Sequence, residues 1–210
     1  MQVQDLDVFL RGSRNYVQGT QIVSRTADLT GKSGWVFKTA AFSTITTNYL
    51  SAVEGAAPQG QDVVAKLMFA SPESGTKSFS IFERNDVAPQ RDEAMPISLD
   101  DRQEVDDTTS IWPYDGAKSF EDILNVLVQA TKAEHVHRWP DAFDIWFTGA
   151  RGWQIPLDLD SLSGGTVTLK MYRQMGVPSA VQTIWQIEIN DTSGAAFQGM
   201  FTFVHKSGED

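Results

Sequence analysis

Residues Gln182–Val204 read QTIWQIEINDTSGAAFQGMFTFV. Two runs rich in β-branched and aromatic residues, lying within Ala180–Asn190 and Ala195–His205, flank the turn residues Asp191-Thr-Ser-Gly194. Such runs fit a pleated, half-buried surface, and the short polar connection makes them a β-hairpin. Working outward, strand composition recurs over Phe143–Leu157 and Thr166–Arg173, and in the first half over Trp35–Leu50, Asp62–Ala70 and Lys77–Arg84. Connections as short as Pro72-Glu-Ser-Gly75 predict antiparallel pairing, because a parallel crossover takes about a dozen residues or more. The segment Ser161-Leu-Ser-Gly-Gly-Thr166 lacks the lysine of a phosphate loop and precedes a strand, so it reads as a further hairpin turn.

Each run of strands follows a helical pattern. Tyr16, Ile22, Val23 and Ala27 fall near helical spacing, with Ser13 as N-cap and Gly31 as stop, which predicts a helix over Arg14–Leu29. Gly19 then sits inside that helix, where a glycine costs about 1 kcal/mol relative to alanine and implies a close approach by a strand or ligand. Ser119 followed three residues later by Asp122 resembles a capping box, and Phe120, Ile123, Leu124, Val126, Leu127 and Val128 give a broad apolar face ending near His135. Between the halves, the acidic stretch Asp86–Asp107 reads as a linker, dividing the chain into 1–104 and 105–210.

A shift of 104 residues, without a gap, sets Tyr16 on Phe120, Trp35 on Trp139, Phe42 on Trp146 and Tyr49 on Trp153. Composition alone predicts about one such aromatic pair, and a long period of this kind signals a duplicated unit.

Composition closes several classes of function. The 210 residues are 41% hydrophobic and contain no cysteine, which allows a sizeable core and excludes disulfides, thiolate metal sites and a cysteine nucleophile. A net charge of −10 without any Lys/Arg cluster opposes nucleic acid and anionic membrane surfaces. No apolar run reaches the roughly 18 residues of a membrane span, and Met1-Gln-Val-Gln-Asp5 lacks the order of a secretion signal, so a cytoplasmic protein is expected.

A long helix followed by antiparallel strands, present twice, resembles the hotdog fold, in which a curled sheet wraps a central helix. The likeness is best in Gln182–Val204, which looks like the final hairpin of acyl-thioesterases and hydroxyacyl dehydratases of this fold. It implies an α+β double hotdog, with acyl chains on coenzyme A or acyl carrier protein bound near the starts of the central helices. No cofactor is expected, a homo-oligomer is possible, and no metal is assigned, because His135 and His137 are two apart, on different faces of a helix, with no nearby carboxylate to complete a metal-site pattern.

On that resemblance Arg14, Gln18 and Gly19 are the substrate-binding candidates, with Asn15 to polarise a thioester carbonyl and Asp122 as an acid/base group. Glu121 is a second carboxylate at the same helix start. Each has a plainer reading. Asn15 and Gln18 would be solvated, Arg14 would pair with Asp5 or Asp7, and carboxylates in a first turn serve the helix dipole and cap. Hotdog dehydratases pair a histidine with a carboxylate. Here His135 and His137 lie at the far end of the second helix and His205 in the tail, as surface or helix-end residues. The tryptophans from Trp112 to Trp185 either line an acyl pocket or fill a core. The leading expectation is an acyl-thioester-binding double hotdog, thioesterase- or dehydratase-like if active. The alternative is a non-catalytic ligand-binding or protein-interaction protein on the same scaffold.

Overall fold

The computed structural model describes residues 2–11, 14, 16–84, 89–92, 101–159, 161–177 and 179–207. In chain order the elements begin with β1 (Val3–Leu6), β2 (Phe9–Arg11), α1 (Gly19–Asp28), β3 (Val36–Phe42), β4 (Tyr49–Glu54), β5 (Val63–Ser71), β6 (Gly75–Arg84) and β7 (Gln90–Asp92). They continue with β8 (Gln103–Asp106), β9 (Thr109–Tyr114), α2 (Phe120–Arg138), β10 (Ala142–Arg151), β11 (Ile155–Pro156), β12 (Gly165–Val177), β13 (Ala180–Asp191) and β14 (Ala196–Ser207). Two compact units result, Met1–Pro96 with Ile155–Asp158 and Ile97–Gln154 with Leu159–Asp210.

In the first unit antiparallel strands stand in the order β1-β4-β6-β5-β3, and β11 adds to the β3 edge through Ile155 opposite Phe37. The strands expected from the sequence pair antiparallel, and β2 and β7, which lie outside them, pair in parallel. The strand expected over Trp35–Leu50 is two strands. The polar run between them is held locally, with the Ser43 hydroxyl donating to Val63 O and the Thr46 and Asn48 side chains donating to Glu83. Such short polar side chains offer the backbone an alternative to the ladder.

The first helix begins five residues later than its spacing predicts, so Arg14 and Gln18 precede it and Gly19 opens it instead of lying inside. The chain there is committed elsewhere. Val17 N donates to Thr46 O at 2.9 Å, Arg91 Nη1 donates to Arg14 O, and Gln18 is extended at ψ 139°. The expected cap Ser13 lies outside the described residues. From Gly19 on, Ile22, Val23 and Ala27 are buried as the apolar face requires.

The second unit is an antiparallel sheet in the order β10-β14-β13-β12-β9-β8, with α2 packed against β9, β10, β12 and β13. Ser119 Oγ accepts from Asp122 N at 3.1 Å, and Asp122 Oδ2 accepts from Lys118 N at 3.1 Å, so both ends of the cap are formed. The helix runs to Arg138, one turn past the expected end at His135.

Two further expectations are corrected. The acidic stretch Asp86–Asp107 is not merely a linker, because β7 and β8 lie within it and β9 follows directly. Ser161–Thr166 is not a hairpin, because its flanking strands have different partners: β11 pairs with β3, and β12 with β9 and β13. Leu162 instead bridges Ala117, and Gly164, at φ +117°, sits where a Cβ would meet Tyr114 O at 2.9 Å.

Both units thus set a helix on a sheet, yet their strands are ordered differently. The four longest after α1 lie as β3-β5-β6-β4, and those after α2 as β10-β14-β13-β12.

Candidate functional site

The sequence candidates fall at two helix starts. In the first unit Gln18 is the α1 N-cap with no side-chain cap bond, Gly19 is the first helical residue and Arg14 is half-buried; Asn15 lies outside the described residues. Asp5 pairs with Arg84, at 2.8 Å. In the second unit the Asp122 carboxylate is held in the α2 cap. Glu121 is buried in the same turn.

Two residues that the sequence reading passed over stand beside the α1 start. Gln21 is 0% exposed; its Oε1 accepts from Phe9 N at 2.8 Å, while its Nε2 is buried with no hydrogen-bond partner among the described residues. Arg11, in the same strand as Phe9, is 5% exposed. A buried amide donor without an acceptor costs roughly 1–3 kcal/mol, so it marks a position where an acceptor would be welcome. The spacing of a helix start alone does not reveal this, because the donor to Oε1, Phe9 N, comes from β2.

The histidine expectation is overturned for two of three residues. His137 is exposed in the last turn of α2, but His135 and His205 are each 0% exposed, with ring centroids 5.4 Å apart. His135 Nδ1 lies 2.7 Å from Thr131 O, a pure acceptor, so Nδ1 carries the hydrogen. Nε2 then accepts from the Thr183 hydroxyl at 2.7 Å, and Thr183 Oγ1 accepts from Trp185 Nε1 at 3.0 Å. Burial drives the His135 pKa down to about 4 and lowers that of His205. The imidazole is neutral, and its lone pair is already used.

Next to it Glu134 is 0% exposed and accepts from Arg102, Ser110, Trp112 and Arg138. Burial alone would raise this carboxyl, but those donors carry it below its ordinary value. The arrangement satisfies a buried charge, and it leaves no free oxygen for proton transfer. Among the described residues no group of His, Asp and Glu is placed to hold a metal ion.

No family model matches the sequence, and no curated protein is similar to it. Solved structures do match. A protein of unknown function with a hot dog fold from Alicyclobacillus acidocaldarius is 8% identical, with 93% of this chain and 89% of that one covered at a TM-score of 0.51. The chain has the hotdog fold. A GphF dehydratase variant aligns at a TM-score of 0.52 and 7% identity, covering 99% of this chain and 92% of that one. The PpsC dehydratase domain of Mycobacterium tuberculosis, solved with C12:1-CoA, aligns at 0.50 and 8%, covering 98% and 92%. In hotdog terms α1 and α2 are the helices laid on the sheets, and the buried histidines sit at the far end of α2 from its cap. Among the described residues no helix is long and apolar enough to cross a membrane.

Proposed function

We propose that this chain is a double hotdog, arisen by duplication and residing in the cytoplasm, that binds an acyl thioester on coenzyme A or acyl carrier protein. It would do so without a histidine acid/base pair. The observation that carries the reading is the buried Gln21 Nε2, a donor without an acceptor among the described residues beside the start of α1. A thioester carbonyl or a phosphate oxygen supplies what that donor lacks. Arg14, Asn15, Gln18 and Gly19 would form the mouth around it, the first helical amides adding positive potential. The C12:1-CoA carried by the PpsC domain supports an acyl-coenzyme A ligand on this fold.

The non-catalytic form is favoured by the occupation of Asp122 and His135. Asp122 closes the α2 cap, and His135 has both ring nitrogens hydrogen-bonded inside the core. A general base must reach the proton it removes with a free lone pair.

Calorimetric titration with dodecenoyl-coenzyme A, shorter acyl-coenzyme A compounds, free coenzyme A and acylated carrier protein tests this. Acylated ligands should bind more tightly than free coenzyme A, and Gln21→Met and Gln18→Ala should each weaken binding by up to about tenfold, the worth of one hydrogen bond. No binding by any acylated ligand overturns the proposal. Thiol release that Asp122→Asn abolishes would replace it with a thioesterase.

A further inference from the structure

The two buried imidazoles at the far end of α2 are held differently. His135 has both ring nitrogens committed, to Thr131 O and to Thr183, whereas His205 on β14, equally 0% exposed, has neither nitrogen hydrogen-bonded among the described residues. A neutral imidazole carries one N–H and one lone pair. Burying both unmatched is unfavourable, and charging the ring in that position is more so. The rings lie 5.4 Å apart, so a proton on either one sets a charge beside the other.

Trp139, the C-cap residue of α2, covers His205. Its ring stacks there with centroids 4.8 Å apart and also meets His135 at 5.4 Å and Trp185 at 6.5 Å. The same indole lines a cavity of about 360 Å³ whose wall includes the carboxylates of Glu104, Asp106 and Asp107. Trp139 is only half-buried and is followed by the exposed Pro140 and Asp141, so its ring can turn about the side-chain bonds while the strands stay in register. Of the residues packed on the pair, Thr183 and Trp185 of β13 and Phe203 of β14 do not ionise in this range. The charged groups come from α2: Lys132 and Glu134 act on His135, Arg138 lies over the Trp185 ring at 5.7 Å, and His137 is exposed.

We propose that Trp139 is an acid-operated gate, in which protonation of His205 turns the indole off the imidazole and opens the cavity onto the histidine pair. In the open form the imidazolium gains water and the field of the three carboxylates, both of which the closed form denies it. Burial lowers the affinity of His205 for a proton in the closed form, so that form binds fewer protons than the open one. The closed gate is therefore favoured above about pH 6.5, and each pH unit below that shifts the balance toward the open gate by up to about tenfold. Glu134 does not take up the proton in place of His205, because Arg102, Ser110, Trp112 and Arg138 occupy its oxygens. The opening is local, since it moves one side chain and leaves the pairing of β14 with β10 and β13 as it is.

Nuclear magnetic resonance of the indole N–H groups in the full chain, followed from about pH 7.5 to about pH 5, tests the gate without any ligand. Trp139→Phe assigns the resonance, and far-ultraviolet circular dichroism reports the fold at each pH. The Trp139 signal should move toward the position of a solvated indole as the pH falls, while the dichroism stays constant. His205→Phe keeps a ring for Trp139 to stack on but cannot take up a proton, so its Trp139 signal should hold the neutral-pH position throughout. A wild-type signal that does not move over this range overturns the proposal, as does one that moves only where the dichroism is lost. An equal movement in His205→Phe overturns it as well. The wild-type titration decides between gate and no gate even if the phenylalanine variant fails to fold.

Discussion

Acidification should unfold the second unit in a way that His135 controls. With an ordinary histidine value near 6.5 in the unfolded chain and about 4 in the fold, the unfolded state binds more protons between those limits. Stability is therefore fully present above about pH 6.5 and falls as pH drops toward 4. At pH 5 the unfolded-state histidine is almost wholly charged and the native one almost wholly neutral, so the loss is about 2 kcal/mol. His205 acts in the same direction. The charges that bear on His135 are those of Glu134, which opposes the shift, and of Lys132 and His205, which reinforce it. Urea denaturation followed by tryptophan fluorescence is a suitable assay, because only Trp35 of the 6 tryptophans lies in the first unit. Between pH 7.5 and 5 the wild type should lose roughly 2 kcal/mol more than His135→Gln. Equal losses in the two proteins, or a His135 ring resonance titrating near its ordinary midpoint, would refute the burial argument.

Three further outcomes follow from the packing. Glu134→Ala leaves Arg102 and Arg138 without their buried counter-charge and should cost about 3–5 kcal/mol in denaturation, with Glu134→Gln costing less. Ser119→Ala removes the α2 cap and should cost about 1 kcal/mol, seen as faster amide exchange in the first turn of the helix. Gly199→Ala drives a Cβ to 2.3 Å from the Trp153 ring, which is fully buried, and should lower stability by about 1–3 kcal/mol with a shifted indole Nε1 resonance.

What could be read from the chain was whatever repeats within a few residues. The β13–β14 hairpin shows itself because Ile187 and Ile189 alternate with polar neighbours, and α2 because Ser119 and Asp122 sit at cap spacing. Strand β8 was illegible for the opposite reason: all four of its residues are exposed, so no alternation marks it. The start of α1 was misplaced because Tyr16 continues a helical spacing that the bond from Val17 to Thr46 overrides. The burial of His135 depends on Thr183, a partner 48 positions away, and that of His205 on Trp139 stacked at 4.8 Å. The polar end of α1 was legible as residue types around Gln18, but the orphaned amide of Gln21 was not, since its neighbour Phe9 belongs to a strand with only three residues.

The short strand β11 has a bearing on how this gene can be cut. Residues 155–158 belong to the first unit although more than fifty residues of the second precede them in the chain, and Leu157 N donates to Trp35 O. A fragment ending near residue 96 would therefore lack part of its own sheet, leaving Phe37 with one neighbouring strand where it now has two. Supplying a peptide that spans Ile155–Asp158 in trans should rescue such a fragment. The same property makes that peptide bond region a natural place to install a split-protein reporter, whose signal would require both pieces to meet.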